Sequence, residues 1–151
     1  MINRLKSEVD AIIADCKRHG YGSNIVFIEN AAHAQQCQAV GAVVGCVPDF
    51  PPSTDGEKEA RRCVEIMLAK KPEPEGASKG ALLEMAYHPR IHTSLGALAG
   101  QEGWQVVLGT EAMLYQGLEQ DRLWTGVDVD RMPVAKVKAV LEKAVASASA
   151  H

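Results

Sequence analysis

Apolar residues along this chain come in two rhythms, short unbroken runs and stripes at helical spacing, and the two alternate. Ile25–Ile28, Ala42–Val47, Ala81–Ala86 and Trp104–Leu108 are the runs. Runs this short, bounded by glycine, proline or polar residues, predict strands, buried on both faces where they are wholly apolar. Between them lie the stripes. Leu5, Val9, Ile12, Ile13 and Cys16 predict a helix from Leu5 to His19, stopped by Gly20 and Gly22. Ala31 to Val40 reads as a second helix with Asn30 as its N-cap. Thr54-x-x-Glu57 has the form of a capping box and opens a third helix to about Lys70, with Ala60, Cys63, Val64 and Met67 inward. A fourth runs from about Thr93 to Gln101. A fifth follows Gly109 and carries Met113, Tyr115 and Gln116 in its first turns. Pro133 suits the first turn of a last helix, Val134 to about Ser147. Asp49–Pro52, with two prolines, must be a loop, and Lys71 to Lys79 an exposed connector.

Strand–helix alternation calls for an α/β fold, a parallel sheet with helices on both faces. Ala42–Val47, Ala81–Ala86 and Trp104–Leu108, apolar on both faces, are expected in such a sheet. With 151 residues, 46% of them hydrophobic and 23% charged, the chain suits one globular domain. A net charge of −3 and the lack of a Lys/Arg stripe argue against direct nucleic-acid binding. Cys16, Cys37, Cys46 and Cys63 form no CxxC pair, which favours buried, reduced thiols in the cytoplasm. No apolar run approaches the roughly 20 residues of a membrane span, and no signal peptide follows Met1. His88 and His92 straddle a proline-containing turn, which argues against a metal site. Trp104 and Trp124 are expected in the core, and Glu119, Asp121 and Arg122 on a solvated helix face.

Two strand ends carry recognisable residues. Tyr87-His88-Pro89 closes one run, and Gly109-Thr110-Glu111-Ala112-Met113-Leu114-Tyr115-Gln116 follows the next. They resemble the end of shikimate dehydrogenases, where a Tyr-x-Pro turn and a Gly-x-x-x-Met-Leu-x-x-Gln run stand in these places. The fuller form, MAYHP followed by GLEQDRLWTG, looks most like the shikimate-dehydrogenase-like region of the fungal quinate repressor and the pentafunctional arom polypeptide. The match is specific from Gly80 to about Lys138 and extends over Met1 to Pro52. It implies a Rossmann-type sheet in which Ala42–Val47, Ala81–Ala86 and Trp104–Leu108 lie side by side in that order, with Ile25–Ile28 standing off by one strand width or sliding in beside Ala42–Val47. Residues 1–79 would be part of a nucleotide-binding-like half, 80–138 the family's C-terminal region and 139–151 a helix end and tail.

The resemblance also assigns residues. Tyr87 and Gln116 would line the pocket for shikimate, where a phenol and a carboxamide can each donate to and accept from ring hydroxyls. Gly109 and Met113 would approach the nicotinamide of NADP. Asn3 and Arg4 would follow the second strand, with the guanidinium facing the 2′-phosphate. Leu5 stands where the family usually has Thr or Ser, which removes a hydroxyl donor. Ordinary roles compete in every case: a solvated Arg4, a surface Gln116, a rim-packing Tyr87, a strand stop at Gly109 and a core Met113.

The chain has no G-x-G-x-x-G. If Asn3-Arg4 is the family's pair, Met1-Ile2 is the stub of the second strand. The first strand, its Gly-rich loop and the substrate domain with its catalytic Lys and Asp are then absent. A fragment or a truncated gene product is expected, with an incomplete sheet, without cofactor and without catalysis as a free chain. One function consistent with this is a non-catalytic module of a quinate-repressor-type regulator. It would sense a quinate- or shikimate-type metabolite in cytoplasm or nucleus, alongside upstream domains or a regulatory partner protein. Another is the C-terminal part of an NADP-dependent shikimate dehydrogenase. A third is a nonfunctional remnant.

Overall fold

The computed structural model describes residues 1–21, 24–74, 76–88 and 90–148. Gly22 and Pro89, singled out above, and the tail from 149 to His151 lie outside these residues. The chain divides into two compact units, Met1–Val40 with Phe50–Ser78 and Gly41–Asp49 with Lys79–His151.

In the first unit, α1 spans Lys6–Arg18, α2 Ala31–Gln36 and α3 Asp55–Ala69. Gly20 follows α1 at φ +73°, a left-handed conformation that glycine adopts without strain. Of the apolar stripe of α1, only Val9 is buried, while Leu5 and Ile12 are exposed. Asn30 caps α2, its Oδ1 accepting the His33 N–H at 2.9 Å. That helix ends at Gln36, short of Val40, because Cys37 already has extended dihedrals. The segment 25–28 forms no strand, contrary to the sequence expectation. Among the described residues its main chain bonds to Met1: the terminal ammonium donates to Val26 O at 2.6 Å, and Ile28 N donates to Met1 O at 2.9 Å. Two bonds between two short segments do not make a stable ladder, and Val26 stays 55% exposed. The core gathers Ala34, Cys63 and Met67, with Ile2, Ile28, Cys37 and Ile66 against it. Cys63 and Met67 point inward as their spacing predicts, whereas Ala60 and Val64 are half-buried.

The capping box at the start of α3 is complete. Thr54 Oγ1 accepts the Glu57 N–H at 3.3 Å, and Glu57 Oε2 accepts the Thr54 N–H at 3.0 Å. Ser53 donates to the same oxygen from its N–H at 3.0 Å and its hydroxyl at 2.9 Å, and Arg4 holds Oε1 at 2.7 Å. These donors, the Thr54 N–H first, pull the Glu57 carboxyl from its ordinary 4.5 down to about 2. Because the folded value is depressed, the stabilisation is whole above pH 4.5 and is lost as pH falls through about 2. A carboxyl-carbon NMR titration is expected to place Glu57 near 2; a midpoint at the ordinary glutamate value would contradict this.

The second unit is built on a parallel sheet of β1 Ala42–Gly45, β2 Ala81–Glu84 and β3 Gln105–Leu108, in that order. Ala42 faces Ala81, which faces Gln105, and the register holds to Gly45, Glu84 and Leu108. α4 Ser94–Gln101 connects β2 to β3. α5 Gly109–Thr125, a 3-10 turn Val129–Arg131 and α6 Val134–Ala148 follow. This is an α/β arrangement, three parallel strands flanked by helices, consistent with a partial Rossmann-like fold. Leu82, Ala99, Trp104, Leu114 and Leu118 form its buried apolar set. The strands are shorter than the apolar runs that announce them. They begin just after Gly41 and Gly80, whose backbones meet so closely that a Cβ on Gly80 would overlap the Gly41 carbonyl.

Three core expectations need correction. β1 pairs only with β2 among the described residues, and Val44 is 61% exposed, so this strand is an edge and not buried on both faces. Trp124 lies 78% exposed near the end of α5. Cys46 is exposed because β1 has ended by Gly45, while Cys63 alone of the four cysteines is fully buried. Glu119 and Arg122 pair on the solvated face of α5, at 2.8 and 2.6 Å, as expected.

Candidate functional site

At their C-terminal ends β1 and β2 part. The last bond joining them is Met85 N–H to Gly45 O at 2.8 Å. Beyond it the two strands diverge into residues 46–49 and 85–88. The gap between them is an open cleft of about 400 Å³ lined by Cys46, Pro48, Met85, Ala86, Tyr87 and His88. Carboxyl ends of parallel strands are where open α/β sheets take ligands. Tyr87 is 43% exposed, so its phenol is open to a ligand.

Beneath the cleft sits a carboxyl group. Glu84, the last residue of β2, is 1% exposed. Its Oε2 accepts the Thr93 hydroxyl at 2.8 Å and its Oε1 the Ala86 N–H at 3.1 Å. Thr93 Oγ1 in turn accepts the Gly96 N–H at 3.0 Å and so caps α4. Gly45 closes over the pair: a Cβ there would stand 3.1 and 3.3 Å from the two Glu84 oxygens and 2.9 Å from Leu95 Cδ2. A second carboxylate, Asp49, with its side chain 6% exposed, reaches from the β1 loop to the other end of 85–93. Its Oδ1 accepts the Ser94 N–H at 3.0 Å and the Ser94 hydroxyl at 2.6 Å, and its Oδ2 accepts Arg90 at 3.2 Å.

The residues named from the sequence fall in different places. Tyr87 borders the cleft. Gln116 is exposed on α5 and is not among the cleft's lining residues. Gly109, Met113 and Gln116 are spaced to share one face of that helix, with Leu114 and Leu118 buried on another side. Gln116 is about 10 Å along the axis from Gly109. The Gly109 end lies against β2: a Cβ there would come 2.6 Å from Met85 O and 2.7 Å from Glu84 O. Met113 is 40% exposed. In the other unit, Asn3 donates to Glu8 at 2.8 Å and accepts the Leu5 N–H at 2.9 Å, while Arg4 is paired with Glu57.

Sequence reasoning missed Asp49, Thr93 and Cys46 at this site. Glu84 left a signal, the one charge in an otherwise apolar run. Asp49, in front of Phe50 and two prolines, left none. Among the described residues no cluster of three or more His, Cys, Asp or Glu could hold a metal, and no helix is long and apolar enough to cross a membrane.

No protein-family model matches the chain. Quinate dehydrogenase of Emericella nidulans is 36% identical over 153 aligned positions, covering 99% of this chain and 46% of that protein. The pentafunctional AROM polypeptide of Komagataella phaffii is 33% identical over 127 positions, 83% of this chain and 7% of that one. The chain thus spans less than half the length of either relative. Among solved structures, the dehydroquinate dehydratase and shikimate dehydrogenase from S. pombe AroM superposes with a TM-score of 0.58 at 29% identity, over 80% of this chain and 20% of that one.

Proposed function

The chain is shikimate/quinate dehydrogenase-like over 99% of its length, and from that premise we propose that it binds a quinate- or shikimate-type ring acid as a non-catalytic module of a quinate-repressor-type regulator. The observation that carries this is Tyr87 in the strand-end cleft. Its phenol can donate to one ring hydroxyl and accept from another. By the family resemblance Gln116, which lies outside the lining residues of the cleft, would serve the same ligand from α5. Upstream domains or a partner protein supply the rest of the pocket.

For NADP the residues fit poorly. Arg4 is spent on Glu57, and the Asn3 amide on Glu8 and Leu5. The room that a glycine leaves at Gly109 is filled by the chain's own carbonyls. No G-x-G-x-x-G loop is present to seat a pyrophosphate. No hydride step is therefore assigned to this chain alone.

A second function is favoured by one observation, the alignment of nearly the whole chain with a quinate dehydrogenase. Here the chain is the C-terminal part of an NADP-dependent shikimate dehydrogenase reducing 3-dehydroshikimate. By the family resemblance Arg4 would then meet the 2′-phosphate of NADP in place of Glu57.

Titration of the labelled chain with shikimate and quinate, followed by amide NMR, tests the binding. Shifts are expected to concentrate at residues 85–88. Tyr87→Phe is expected to weaken the response about tenfold, the effect of one lost hydrogen bond. Shifts spread evenly over the chain, or a Tyr87→Phe variant that binds like the parent, would refute the assignment. With NADP and shikimate the chain is expected to form no reduced nicotinamide. Steady turnover lost on changing Tyr87 would establish the dehydrogenase instead.

A further inference from the structure

A carboxyl group buried as deeply as Glu84 is unfavourable unless its oxygens are bonded. Both are, and each bond goes to the segment that bears Tyr87. One runs to the Ala86 N–H, immediately before Tyr87. The other runs to the Thr93 hydroxyl, where the segment enters α4. Since Thr93 Oγ1 accepts the Gly96 N–H, its proton is directed at Glu84. The Gly45 backbone seals the carboxyl from above. Asp49 acts on the same segment from the opposite wall. It binds Arg90 and Ser94 while belonging to the loop that carries Cys46 and Pro48. Residues 85–88 and 90–94 are thus tied at Ala86, at Thr93 and Ser94, and across the cleft.

We propose, given that the Tyr87 cleft is the ring-acid site, that Glu84 and Asp49 are positioning residues. Glu84 fixes the Tyr87 wall through the Ala86 N–H and the Thr93 hydroxyl, and Asp49 fixes that wall's distance from Cys46 and Pro48. Neither carboxylate touches the ligand. They hold the phenol where ring hydroxyls meet it, so that binding does not have to order the loop.

The test uses the full chain and four variants, read by amide exchange and by shikimate titration. Thr93→Val removes the hydroxyl that Glu84 accepts, and Thr93→Ser keeps it. Glu84→Gln leaves the α4 cap intact but gives up one of the two acceptor bonds. Asp49→Ala removes the cross-cleft tie. In Thr93→Val, Ala86 exchange is expected to rise about tenfold, and in Glu84→Gln it rises where the carboxamide nitrogen faces the Ala86 N–H. Leu82 and Val107 amides should stay protected, and the shikimate midpoint should rise by a similar factor. In Glu84→Gln the Gly96 amide should not change, which separates positioning from capping. Thr93→Ser should behave as the parent, and Asp49→Ala should speed Ser94 exchange and weaken the shikimate response. Ala86 exchange and a shikimate midpoint both unchanged in Glu84→Gln, or a Thr93→Ser variant as impaired as Thr93→Val, overturns the proposal. If Thr93→Val also exposes Leu82, the decision passes to Glu84→Gln and Asp49→Ala, which leave the helix cap in place. A parent chain silent to both shikimate and quinate refutes the binding function. The hold on the wall is then judged on exchange alone.

Discussion

Gly80→Ala is expected to unfold the parallel sheet. The Cβ of an alanine there would overlap the Gly41 carbonyl, and the obstructing atom is backbone, not the far end of a flexible side chain. The two glycines precede Ala42 and Ala81, the first paired residues of β1 and β2. Relief therefore means separating the strands from their first pair onward. The loss is expected to exceed about 4 kcal/mol, a large share of the stability of a small domain. Denaturant unfolding followed by circular dichroism measures it. Gly100→Ala is the control. It lies in α4 with nothing near its would-be Cβ, and alanine is expected to leave stability unchanged or raise it by up to about 1 kcal/mol. A Gly80→Ala chain as stable as the parent would show that β1 and β2 do not meet as described.

The second large effect is expected at Gly109→Ala. Its Cβ would stand 2.6 Å from Met85 O, 2.7 Å from Glu84 O and 2.8 Å from Met85 C. These atoms form the end of the central strand, so the start of α5 must lift away. Overpacking of this kind costs about 1–3 kcal/mol. The family resemblance gives Gly109 another reason to be glycine, a close approach to nicotinamide. The two reasons separate experimentally. A lowered denaturation midpoint in the free chain assigns the glycine to packing of helix on strand. A parent-like midpoint would leave only the ligand to explain it.

Those glycines show how unevenly the sequence spoke. The three strands were legible because each apolar run is compact, and their order followed from the family resemblance. Thr54 and Glu57 were legible because a capping box is a local device, complete within four residues. The segment 25–28 has the composition of a strand. A strand exists only with a partner, however, and here Met1 supplies just two bonds. Trp124 was misplaced for a related reason. Tryptophan usually seeks burial, but nothing in its neighbours revealed that α5 turns it outward. At the site, Tyr87 could be named from its motif. The Asp49 tie to Ser94 could not, since those residues are 45 positions apart and neither stands in a pattern. The Gly80 and Gly109 contacts are legible only in three dimensions, because a lone glycine before a strand or a helix has many ordinary explanations.

The division of the chain carries a consequence for its synthesis. β1 belongs to one unit but is made in the middle of the other, about 40 residues before β2 emerges to pair with it. At ribosomal speeds of about 5–20 residues per second, Val43 and Val44 wait several seconds as an open template on the nascent chain. The intervening residues meanwhile contain all of α3, which can assemble with α1 and α2 at once. The first unit therefore closes around an unfinished excursion, and the second cannot begin its sheet until residue 84 has left the exit tunnel. Translation pausing between residues 50 and 80 should lower soluble yield, and chaperone supply during that interval should recover it.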